Sequence, residues 1–70
     1  MGQIKEFFLN GEKYYIKQDI NLLDLVAYFN YNNALLVLEY NKSICNKIYW
    51  NETFLQDQDQ IEIVTIVGGG

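Results

Sequence analysis

Hydrophobic and polar positions alternate at the start of the chain and again near its end, with one helical period between. Ile4-Lys-Glu-Phe-Phe-Leu9 and Lys13-Tyr-Tyr-Ile-Lys17 read as two short strands. Asn10-Gly11 between them is the strongest short-range hairpin signal, because both central residues of a type I′ turn need positive φ. Phe7, Leu9, Tyr14 and Ile16 are expected to face inward, and Glu6, Phe8 and Tyr15 outward. The period then changes. Leu22, Leu25, Val26 and Phe29 form one helical stripe. Asn21 is placed as its N-cap, and Asp24 in the first turn suits the helix dipole. The asparagines of 30–33 end the helix, since Asn tolerates the left-handed conformation of a helix stop. Leu35–Tyr40 is the third strand, Asn41-Lys-Ser43 a turn and Ile44-Cys45 a short edge strand. A brief strand is expected at Glu52–Leu55 after an irregular piece around Tyr49 and Trp50. Asp57-Gln-Asp59 is a turn, and Ile61–Val67 is the last strand, with Ile61 and Ile63 inward and Glu62 outward.

The order is β-β-α-β-β-β. Neither a helix stripe nor a sheet face can bury its apolar side alone, so one helix covers one face of a mixed sheet, with the first and last strands parallel neighbours at its centre. That is an α+β architecture, the β-grasp or ubiquitin-like fold. The organisation expected is a domain over residues 1–67 and a flexible tail over 68–70. A chain of 70 residues, half of them apolar, makes one small core. One cysteine permits no internal disulfide, which points to a reducing compartment. No stretch reaches the roughly 20 apolar residues of a membrane helix, and no signal peptide is visible. Met1-Gly2 does not start a myristoylation motif, because Glu6 stands where Ser or Thr is wanted. The net charge is −4, with Lys as the only basic side chain, so the cation cluster of a nucleic-acid binder is missing. An acidic protein favours a basic or neutral surface on a protein partner. The absence of His, Arg and Pro beside abundant Asn, Ile and Tyr fits an AT-rich genome, and the expected location is the cytoplasm or, for a plastid-encoded chain, the stroma.

Gly68-Gly69-Gly70 follow directly on the last apolar run. Glycine loses the most backbone freedom on ordering, so three in a row do not serve a strand. They suit a tail without side chains that passes through a channel too narrow for a Cβ. The reactive group expected is the Gly70 carboxylate, with Gly68 and Gly69 giving access. A carboxylate resists nucleophiles until it carries a leaving group. The sequence has no Walker-type motif and no His, so the activating machinery is expected on a partner, and no bound cofactor is expected. Alternation along the strands places a second site, a docking face away from the helix, at Phe8, Val37, Glu62, Val64 and Ile66. Cys45 is read as a small buried apolar residue, Trp50 and the tyrosines as core and rim, and Asp57 and Asp59 as turn residues, too few for a Ca²⁺ loop.

Leu9-Asn10-Gly11, Leu22-x-Asp24-Leu25-Val26, Tyr40-Asn41 and Asp57-x-Asp59-x-Ile61-Glu62-Ile63-Val64 running on to Val67-Gly68-Gly69-Gly70 together resemble the ThiS family, the sulfur carriers of thiamine biosynthesis, over essentially the whole chain. Gln58 departs from the family's frequent Gly, which bears on the turn type. The resemblance implies a protein co-substrate, not an enzyme. A ubiquitin-activating-type adenylating enzyme would activate the terminal glycine with ATP, a cysteine desulfurase would supply the sulfur that replaces AMP, and thiazole synthase would take that sulfur from the thiocarboxylate. The alternatives are the small subunit of molybdopterin synthase and a β-grasp interaction module with an inert tail.

Overall fold

The computed structural model describes residues 3–31 and 36–65. Five strands form one mixed sheet: β1 (Lys5–Leu9), β2 (Glu12–Ile16), β3 (Leu36–Tyr40), β4 (Ser43–Ile44) and β5 (Gln60–Thr65), in the spatial order β2-β1-β5-β3-β4. The helix α1 (Leu22–Tyr28) lies between β2 and β3 in the chain. β1 and β5 run parallel at the centre and all other neighbours are antiparallel, as the strand pattern requires.

Local chemistry sets each boundary. Asn10 and Gly11 have φ of 50° and 84°, the paired positive values of a type I′ turn, and β1 and β2 register from Leu9↔Glu12 to Lys5↔Ile16. Asn41 and Lys42, at φ 52° and 72°, repeat that turn between β3 and β4. The helix starts in a capping box. The Asn21 side chain accepts from the Asp24 amide at 2.8 Å, while the Asp24 carboxylate accepts from the Asn21 amide at 3.3 Å, which satisfies two of the donors that a helix start leaves unpaired. It stops at Asn30, whose φ is 60°. The Tyr31 amide donates to Val26 and the Asn30 amide to Ala27, each at 3.1 Å, the paired bonds of a Schellman motif.

Phe7, Leu9, Leu38, Ile61 and Ile63 from the sheet meet Leu22, Leu25 and Val26 from the helix, with Trp50 and Leu55 filling the space between. The brief strand expected at Glu52–Leu55 is not formed. Lys47–Glu52 is a 3-10 helix, and Phe54 makes a single bridge to Asn21. Trp50 enters the core from that helix, and its indole N–H donates to the Cys45 carbonyl at 2.9 Å. The edge strand is Ser43–Ile44 instead of Ile44-Cys45, because the two-residue turn sets Ser43 opposite Tyr40.

Candidate functional site

The turn before β5 holds that strand in place. Asp57 and Asp59 diverge from it. The Asp57 carboxylate accepts the Glu6 amide at 2.7 Å, tying the turn to β1. Asp59 is the one buried charged residue among those described. Its carboxylate accepts from the Tyr40 hydroxyl at 2.5 Å, the Gln56 amide at 2.7 Å and the Asn41 side chain at 3.0 Å. Charge-assisted bonds of this kind offset the cost of burying a carboxylate. Burial first, and then the hydrogen bond to Asp59, raise the Tyr40 phenol well above its ordinary pKa. Both aspartates thus act as turn residues, Asp59 as an inward anchor.

From this anchor β5 crosses the sheet centre. Phe8 donates its amide to Asp59 O and Asn10 its amide to Ile61 O, both at 2.9 Å. On the other side β3 pairs with β5 from Tyr40↔Ile61 to Leu36↔Thr65. The strand therefore heads toward Gly68, Gly69 and Gly70, which lie outside the described residues, as do Ile66 and the boundary expected at residue 67.

The face away from the helix carries four of the five docking residues read from the sequence. Val64 is 61% exposed, directly opposite the half-buried Val37. Phe8 is half-buried, with the Lys13 ammonium 6.0 Å from its ring centroid. Glu62 is exposed and stands opposite Glu39. Like charges directly opposite in an antiparallel pair repel, and no lysine lies within ion-pairing distance of either among the described residues. Ile44, 70% exposed and opposite Glu39, extends the apolar patch and was missed in the sequence. Only the register fixed by the Asn41-Lys42 turn puts it there.

Cys45 is half-buried against the core instead of fully enclosed. It lines a shallow cavity of about 450 Å³ with Tyr40, Ile44 and Tyr49. The short β4 ends just before it, so its side chain meets the core only at the rim. Tyr14, Tyr31 and Tyr40 also pack at the rim. Among the described residues no three His, Cys, Asp or Glu side chains converge as metal ligands, and no helix is long and apolar enough to cross a membrane.

A mixed sheet with its central strand running out toward three glycines and its helix on one side defines a β-grasp protein of the ubiquitin-like kind. The model of the ThiS family matches residues 1–70, and the chain belongs to that family. It is 58% identical over 66 residues to the protein named ycf40 of Trieres chinensis, covering 94% of this chain and 90% of that one. It is 41% identical over 63 residues to the sulfur carrier protein ThiS of Bacillus subtilis (strain 168), covering 89% and 96%. The crystal structure of the thiamine biosynthesis protein ThiS from Geobacter metallireducens superposes with a TM-score of 0.77 over 93% of this chain and 99% of that chain, at 20% identity. That structural likeness speaks for the fold.

Proposed function

We propose that this chain is a sulfur carrier whose Gly70 carboxylate is converted to a thiocarboxylate for thiazole formation in thiamine biosynthesis. The observation that carries this reading is the family match itself, which runs through residue 70 and so includes the three glycines. The Bacillus relative, named a sulfur carrier, supports it.

The chemistry follows from the group. A terminal carboxylate, with a pKa of roughly 3.5, is an anion at neutral pH and a poor acyl donor. An adenylating enzyme of the ubiquitin-activating type transfers AMP from ATP to it and releases pyrophosphate. The terminal sulfur of a cysteine desulfurase persulfide then displaces AMP, a thiol cleaves the resulting acyl disulfide to leave the thiocarboxylate and is itself oxidised to a disulfide, and thiazole synthase accepts the sulfur. The chain is a co-substrate in each step. Gly68 and Gly69 give the carboxyl passage, and three extended residues span about 10 Å. The face of Phe8, Val37, Glu62, Val64 and Ile66 docks the activating enzyme, and its Glu39–Glu62 acidic pair suits a basic or neutral partner surface. The name ycf40, a plastid gene name, supports the plastid stroma as the location.

Intact mass after incubation with the activating enzyme, ATP and a sulfur source tests the reading. The parent chain gains the difference between one sulfur and one oxygen. A chain with one alanine added after Gly70 gains nothing. Sulfur at the new end of the extended chain, or none on the parent, overturns it.

A further inference from the structure

β1 ends at Leu9, opposite Ile61, and the chain turns away at Asn10 while β5 runs on to Thr65. The parallel ladder up to that point is regular: Phe8 donates to Asp59 O and Asn10 to Ile61 O. Its next rung would carry the Ile63 N–H to the main-chain carbonyl of residue 10. The turn has taken that carbonyl elsewhere, and the Asn10 side-chain oxygen stands in for it, accepting the Ile63 N–H at 2.8 Å. The other end of the amide is also held. Asn10 Nδ2 donates to the Tyr31 hydroxyl at 3.4 Å, and the Tyr31 amide in turn closes the helix stop on Val26 O. Asn10 therefore does two separate things. Its backbone, at φ 50°, makes the hairpin, a task Gly or Asp can share. Its side chain joins the hairpin, the helix end and β5 at the last attachment of β5 to β1.

We infer that Asn10 is the positioning residue for the carboxyl end, its side chain fixing the point and direction from which the chain runs on to Gly70. This rests on the carrier reading above. Past Ile63, β5 is held on the β3 side alone, by the pairs Val37↔Val64 and Leu36↔Thr65, so the Asn10 clamp is its last hold from the β1 side among the described residues. Without it the end of β5 is fixed by one neighbour only, and the direction in which the chain leaves the sheet is less closely set, lowering the fraction of carboxyl ends aligned with a nucleotide in a partner's site. The docking side chains Phe8, Val37, Glu62 and Val64 are unchanged, and β5 keeps its pairing with β3 at Glu39↔Glu62 and Val37↔Val64, so KM is expected to hold.

Three full-length proteins test this: the parent, Asn10→Gly and Asn10→Asp. Gly keeps the turn and removes the clamp. Asp keeps an acceptor oxygen for the Ile63 N–H. Each is measured for exchange of the Ile63 amide by NMR, and for kcat and KM in sulfur loading by the activating enzyme. In Asn10→Gly the Ile63 amide exchanges about fivefold faster, as expected for one lost hydrogen bond. Its kcat falls about tenfold, as expected for a misaligned reacting group, with KM unchanged. Asn10→Asp returns both to within about twofold of the parent. Exchange at Ile63 unchanged in Asn10→Gly overturns the inference, as does faster exchange with kcat intact, or a change confined to KM. Loss of kcat in Asn10→Asp also overturns it, and that arm stands alone if Asn10→Gly fails to fold. A parent that takes up no sulfur defeats the carrier reading instead, and the exchange comparison then still reports on the clamp.

Discussion

Gln58 sits between Asp57 and Asp59 at φ 71°, in the left-handed region that costs an L-residue roughly 1–2 kcal/mol and costs glycine little. The turn needs that conformation, since the Gln58 amide must reach the Glu6 carbonyl, 2.6 Å away. The side chain adds only long contacts to Glu6 at 3.3 Å and Asp57 at 3.5 Å. Relief of strain exceeds those contacts, while the greater freedom of glycine in the unfolded chain takes back part of it. Gln58→Gly is expected to stabilise the protein by about 0.5–1 kcal/mol, read as a higher urea midpoint at constant slope. A lower midpoint would show that the side-chain contacts matter more than the backbone. Family likeness had marked position 58 as a departure, and the positive φ supplies the physical reason that glycine suits it.

At the scale of elements, α1 has only seven residues, too few to persist alone in water. It depends on its ends and on its buried stripe of Leu22, Leu25 and Val26. Asn21 does more than cap it. The same side chain donates to the Asn51 carbonyl at 3.1 Å, and the Leu22 amide donates to the Thr53 carbonyl at 2.9 Å, so the cap is stitched to the segment that carries Trp50. Asn21→Ala is expected to cost about 1–2 kcal/mol, measured by thermal or urea unfolding. A loss of only a few tenths would mean that water replaces the cap. The cap and stripe were legible because both are local signals. The 3-10 helix of Lys47–Glu52 was not, since six residues at three per turn leave no amphipathic period to read, and Trp50 takes its place by filling the core.

At the scale of the whole molecule, the two faces of the sheet differ in what covers them. The helix side is closed by the core, while the opposite side exposes Val64 and Ile44 beside the Glu39–Glu62 pair. Nothing in the packing of the described residues calls for apolar side chains there. Val64→Asp is expected to leave the fold intact and to weaken docking to the activating enzyme by about tenfold, or 1.4 kcal/mol. Circular dichroism and a binding titration on the same sample check both halves. Equal affinity for variant and parent would remove Val64 from the interface.

Sequence by itself determined the hairpin at Asn10-Gly11, the helix at Leu22 with its cap and stop, and the inward register of Phe7, Leu9, Ile61 and Ile63. Those features rest on turn chemistry and on periods of two and 3.6 residues, which act between near neighbours. It also determined the glycine run and the family likeness. Tertiary structure decided what depends on distant partners meeting. Ile44 joined the outer face through its pairing with β3, and Cys45 stopped at the rim where β4 ends. Asp59 became a buried anchor because Tyr40 and Asn41 came within reach. Asn10 gained its second role when β5, more than fifty residues away along the chain, arrived with an amide that the turning backbone could no longer serve.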